Sequence, residues 1–233
     1  STTGLDGDGL NAAVSGDTNA ICDDDRTPDY TYPSCGGIAE NGCSWTQCSV
    51  DDVAFSAALV QKVSANVCID SNRVYAVGGS NGGMFVWDLG RDERSAEVFR
   101  AVAPILGLPH RGYLDPPVSE SGMPVISITG SRDRTVPPGE WGQDTFTTTS
   151  DGDVYYYSSA SAITKVWAEA HGCDATVPAE PVDIGSSSME CRGWSYCQSD
   201  SQWPPVMDCR GDMGHVYNLS SSWSLILDFF EQL

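Results

Sequence analysis

The stretch Arg73-Val-Tyr-Ala-Val-Gly-Gly-Ser-Asn-Gly-Gly-Met-Phe-Val-Trp87 decides the fold. Its first five residues, Arg73 to Val77, carry the short apolar run Val-Tyr-Ala-Val and predict a buried strand. Met84 to Leu89 predict a helix. Between them, Gly78 and Gly82 flank Ser80, each two residues away. A serine hydroxyl is a poor nucleophile unless it is exposed, deprotonated by a base and set beside donors for an oxyanion. A tight strand-to-helix turn provides the exposure, and small flanking residues let it close. The backbone N–H of the next residue, Asn81, then points toward a developing oxyanion at the helix start. An ordinary βα turn that uses glycines only for tightness is the competing reading, and the strand before and helix after favour the nucleophile.

Working outward, Val53, Ala57 and Val60, with Phe55, Leu59 and Val63 beside them, recur at helical spacing. Ser49 is the expected N-cap, and Asp51 and Asp52 suit the positive end of the helix dipole. Ala101 to Leu106 and Pro124 to Thr129 predict further buried strands, and Ala162 to Ala170 a helix. Val206 to Cys209 predict a short strand and Trp223 to Leu233 an amphipathic terminal helix. Buried strands alternating with helices imply a mostly parallel sheet covered on both faces. Residues 1–48 carry little periodicity and read as an irregular, cysteine-containing segment ahead of one domain spanning 49–233. The Asp6-Gly-Asp-Gly9 run suggests a calcium loop, but Gly4 and Ser15 stand where carboxylates would be needed, so a solvated loop is expected.

A nucleophilic serine needs a base, and the chain has three histidines, His110, His171 and His215. His215 follows Gly214 on a turn after a predicted strand, late in the chain. His171 ends a helix, and His110 lies in a proline-flanked loop ahead of the candidate acid. The order serine, acid, histidine therefore selects His215 as base. Asp133 is the matching acid, because a buried strand leads into Gly130-Ser-Arg-Asp133 and Thr135-Val-Pro137 turns the chain away. Asp115 and Asp153 are weaker rivals without such a strand. Its task would be to hold the imidazole tautomer and stabilise the imidazolium.

Composition narrows the setting. The chain of 233 residues carries 32 acidic against 12 basic side chains, a net charge of −20, with Lys62 and Lys165 its only lysines. Such a surface disfavours nucleic acid and anionic membranes as partners. No apolar run approaches the roughly 18 residues of a membrane span. The sequence opens without a basic-apolar leader, as expected if one has been removed or omitted. The nine cysteines, Cys22, Cys35, Cys43, Cys48, Cys68, Cys173, Cys191, Cys197 and Cys209, fit disulfides in an oxidising compartment better than a zinc site, for which matched CxxC pairs are missing. Their pairing is not readable, and the odd number leaves one thiol free or bonded elsewhere.

Five blocks resemble a known family: SVDDVAF (49–55), CIDSNRVYAVGGSNGGM (68–84), TGSRDRTVP (129–137), VWAEAHGC (166–173) and Gly214-His215. Taken in order they are similar to the secreted α/β-hydrolase esterases that include polyhydroxybutyrate depolymerases, feruloyl esterases and acetyl xylan esterases. The resemblance runs from about residue 45 to the end, and Trp45 is similar to a tryptophan that often precedes the VDDV block. It implies an α/β-hydrolase fold, ester hydrolysis with Ser80, Asp133 and His215 as catalytic residues, no cofactor, and an ester substrate attached to a polymer. Where the family closes its site with His-Trp-Pro, this chain reads His215-Val-Tyr217, so Tyr217 would replace the tryptophan. Trp87, Trp141 and Tyr217 are candidate substrate-binding aromatics, with core packing as the alternative for each. The family's first strands and its second oxyanion donor have no counterpart here. The expectation is an N-terminally shortened α/β-hydrolase, with three explanations open: a fragment of a longer protein, a processed form whose second chain supplies those strands, or a truncated fold repurposed for another role. A rival reading is a catalytically silent binding or structural protein on the same fold. Asn218-Leu-Ser220 is a glycosylation sequon close to His215, expected to be unused because a glycan would crowd the site.

Overall fold

The computed structural model describes residues 29–31, 44–46, 52–109, 123–139, 145–148, 154–195, 197, 202–217, 220 and 222–233. Two short strands, β1 (Asp29–Thr31) and β2 (Ser44–Thr46), pair antiparallel within the segment that the sequence presents as irregular. Helix α1 (Asp52–Ser64) follows, then β3 (Tyr75–Gly79), α2 (Asn81–Arg91), the single turn α3 (Glu93–Ala96), β4 (Ala101–Ile105) and β5 (Val125–Gly130). Next come the hairpin β6 (Thr145–Thr148) and β7 (Val154–Tyr157), then α4 (Ala160–Ala170), β8 (Glu180–Pro181), β9 (Glu190–Gly193), β10 (Val206–Gly211) and α5 (Trp223–Glu231). The calcium-loop reading, the sequon at Asn218, and Ser49 and Asp51 fall outside the described residues.

The central sheet has six strands in the order β3-β4-β5-β10-β9-β8. β3, β4, β5 and β10 run parallel, while β9 and β8 add antiparallel at one edge. The fold is α/β with a mixed sheet and flanking helices. The stretch after Cys173 is polar and cysteine-bearing, with no apolar run that marks a strand, yet it forms β8 and β9. Two of its cysteines explain part of this: Cys191 lies directly opposite Cys209 on β10, and the two are bonded. Cys173 and Cys197 form a second disulfide, and Cys68 is a free, exposed thiol.

Alternation along the central strands divides the core into two layers. Val102, Val125 and Val206 face a layer with Val86 and Trp87 of α2 and Ile163 and Trp167 of α4. Ala103, Ile105, Ile126, Ile128 and Met207 face the other layer, with Leu225, Ile226 and Phe229 of α5. A strand buried on both sides can be apolar throughout, as β4 is, whereas β5 and β10 carry the buried polar residues Ser127, Thr129 and Asp208. α1 is less committed. Val53 is buried and Val60 packs at the margin, but Leu59 and Val63 of the expected stripe are exposed. No helix among the described residues is long and apolar enough to cross a membrane.

Candidate active site

Ser80 follows the last residue of β3 and precedes the first of α2. Its φ of 54° and ψ of −121° are outside the regions that L-residues favour. The turn holds this shape through packing. A Cβ on Gly78 would meet the Gly82 carbonyl oxygen at 2.2 Å, so only glycine fits there. Gly82 has open space where a side chain would project, so its half of the expected pair is not a steric need. The tight glycines at the turn are instead Gly83 and, from the loop after β4, Gly107, whose Cβ would lie 2.2 Å from the Ser80 carbonyl oxygen. The Ser80 N–H donates to the Ile105 carbonyl at 2.8 Å, and Met84 N–H donates to the Ser80 carbonyl at 3.0 Å. The Ser80 turn is therefore braced from the end of β4 as well as from its own helix.

Asp133 lies three residues past β5 and His215 four residues past β10. These strands are neighbours, so their C-terminal loops leave the sheet side by side. They are laced together where Ser131 N–H donates to the Gly211 carbonyl at 2.9 Å and Arg132 N–H to the Met213 carbonyl at 3.0 Å. A Cβ on Gly130 would meet the Met213 carbonyl oxygen at 2.4 Å, so glycine permits this approach. β3 lies two strands from β5, and the loop after β10 carries His215 back to bridge the gap.

The three side chains meet. His215 Nδ1 is 2.7 Å from Asp133 Oδ2, and His215 Nε2 is 2.9 Å from Ser80 Oγ. Asp133 is buried, and its other oxygen accepts from the N–H groups of Thr135 at 2.8 Å and Val136 at 3.0 Å. A carboxylate acceptor on Nδ1 requires Nδ1–H, which leaves the Nε2 lone pair to accept the Ser80 hydroxyl proton. Every partner of the buried carboxylate is thus a donor, the condition under which a buried charge is tolerated. Asn81 N–H heads α2 beside the serine, at the positive end of the helix dipole.

The aromatic candidates separate. Tyr217 is half-exposed, with its ring centroid 6.1 Å from that of His215. It lies over Gly79, where a Cβ would come within 2.4 Å of the ring. Trp87 does not line a cleft: it is completely buried, edge-on to Trp167 at 4.9 Å, and its Nε1–H donates to the Gly107 carbonyl at 3.0 Å. Helical phase turns it inward, so it supports the Ser80 turn from beneath through Gly107. Trp141 and His110 lie outside the described residues. His171 caps α4 and takes no part in the site. Leu106, expected as the last residue of a strand, instead follows β4 with φ 51°, and Gly107 after it has no assigned role in the sequence. Their only signal is an Ile-Leu-Gly-Leu-Pro run at a strand end, which any loop could carry.

A separate cavity of about 310 Å³, lined by Trp194, Trp203 and Pro204 among others, lies at the opposite end of β10 from His215. The triad instead sits at the carboxyl ends of the parallel strands, where open α/β sheets place their ligand crevices. No family model matches the chain, and no curated protein matches it.

Proposed function

We propose that this chain is a serine carboxylic-ester hydrolase of the α/β-hydrolase type. The observation that carries the proposal is the unbroken hydrogen-bonded series Asp133–His215–Ser80, ending on a serine held at positive φ. In the proposed reaction Ser80 Oγ attacks the ester carbonyl as His215 Nε2 takes its proton. Asp133 stabilises the imidazolium, and Asn81 N–H donates to the tetrahedral oxyanion. The imidazolium then protonates the leaving alcohol, and water, activated by His215, releases the acid from the acyl-serine. Tyr217 forms an aromatic wall beside the base.

The substrate class rests on the resemblance in sequence blocks: feruloyl or acetyl esters on polysaccharide, or polyhydroxyalkanoate-type polyester. A neutral polymer suits a chain with net charge −20 better than an anionic one. Two disulfides support action in an oxidising, extracellular setting. The silent-binding alternative has one observation in its favour: among the described residues, Asn81 supplies the only oxyanion donor assigned. Among those residues β3 is also an outer strand of the sheet, which fits a second chain as the source of further strands and of the missing donor.

Intact-mass analysis before and after a fluorophosphonate probe, with peptide mapping, tests the reading. A single adduct on Ser80, absent in Ser80→Ala, is the expected result. A folded protein that takes no adduct and hydrolyses no p-nitrophenyl ester would overturn it in favour of the binding role.

A further inference from the structure

We propose that Arg210 is a positioning residue that sets the Asp133 turn against the His215 loop. Its kinetic consequence rests on the esterase reading, whereas its structural consequence does not.

Arg210 is the penultimate residue of β10, the strand that leads into the His215 loop. Its Nη1 donates to the Gly139 carbonyl at 2.6 Å, across to the far end of the turn that begins at Asp133. Its Nη2 is 3.2 Å from Asp208 Oδ2, two residues earlier on the same face of β10. The two side chains are 11% and 0% exposed, so one buried fork joins the base-bearing strand to the acid-bearing turn.

The near end of that turn is fixed by backbone bonds at Ser131 and Arg132. Its middle matters more to the acid, because Thr135 and Val136 supply the two N–H groups that orient Asp133 Oδ1. Those amides ride on the segment that Arg210 anchors at Gly139. If the segment slides, they leave Oδ1, the carboxylate rotates, and Oδ2 loses its line to His215 Nδ1. A second pair, Arg132 with Asp212, also crosses between the loops at 2.7 Å, but its side chains are 68% and 82% exposed. Water and salt weaken such a pair, so it cannot substitute for the buried one. A guanidinium suits the buried task because its planar fork makes both bonds at once, which an ammonium on a flexible stem does not.

The test uses the full chain with Arg210→Lys, and the double variant Asp208→Asn/Arg210→Gln, which keeps the buried pair neutral if the single variant fails to fold. Turnover of p-nitrophenyl acetate is measured beside the low-field proton resonance of His215 Nδ1–H. With native circular dichroism retained, kcat is expected to fall about 10- to 100-fold with KM within about twofold, as for a displaced catalytic group. The low-field resonance is expected to broaden or move upfield. An unchanged kcat, or an unchanged resonance, in a folded variant would overturn the proposal. If the wild type neither turns over ester nor takes the phosphonate, the esterase reading fails alone, and the resonance still decides the role of Arg210.

Discussion

Ser80 combines a hydroxyl within hydrogen-bond reach of His215 with a backbone conformation suited to glycine. A non-glycine residue at positive φ costs on the order of 1–2 kcal/mol. Ser80→Gly should therefore melt a few degrees above Ser80→Ala, since about 1 kcal/mol shifts the midpoint by roughly 2–4 °C in a domain of this size. Both variants should lose phosphonate labelling. Equal midpoints by differential scanning fluorimetry would remove strain as the description of this turn. At His171 the cost is electrostatic: burial lowers its pKa from the usual 6.5, against an opposing bond from the Met123 backbone. The unfolded chain then takes the proton first as the pH falls. Stability from a neutral His171 is complete above 6.5 and is lost as the pH falls from there toward the folded value. His171→Gln should thus lose less stability than the wild type between about pH 7.5 and 5.5 in urea titrations. An equal loss would place the acid sensitivity elsewhere.

Among the elements, the loop after β4 does more to hold Ser80 than its bland sequence suggests. A Cβ placed on Gly107 would have the Ser80 carbonyl oxygen, Gly83 Cα and Met84 N at 2.2, 2.8 and 2.9 Å. All three are backbone and cannot step aside cheaply. Gly107→Ala is expected to lower both turnover, by about a hundredfold for an ångström-scale shift of Ser80, and the melting midpoint. Gly82→Ala is expected to do the reverse. It has open space and a helical position in α2, where alanine is favoured by about 1 kcal/mol, so the midpoint should rise with turnover kept. A loss of phosphonate labelling in Gly82→Ala would show that the second motif glycine has a need beyond space. The strand and helix on either side of Ser80 were legible because apolar runs and glycine punctuation are local signals. β8 and β9 were not, because their pairing depends on β10 and on a disulfide between residues 18 apart. Alternation is lost in strands this short.

For the whole molecule, charge is the dominant feature. With 32 acidic and 12 basic side chains, the folded state concentrates repulsion that the unfolded chain relieves. Added sodium chloride should raise the midpoint steadily up to about 0.5 M as the screening length shortens below about 5 Å. A flat or falling curve would mean that local ion pairs, such as Arg94 with Asp92 at 2.7 Å, outweigh the general repulsion.

From the residues alone came the α/β alternation, the turn around Ser80, and the nomination of Asp133 and His215 by their position after strands. These follow from chain-local physics, namely periodicity, glycine geometry and the order of groups along the chain. Only the tertiary structure decided which groups meet. It set β5 beside β10 so that Asp133 and His215 emerge together, and brought Tyr217 over Gly79. It also turned Trp87 into the core, moved the steric burden from Gly82 to Gly107, and paired Cys191 with Cys209. Each of these depends on contacts between residues distant in the chain, where neither spacing nor composition carries a signal and the packing of the two core layers chooses the outcome.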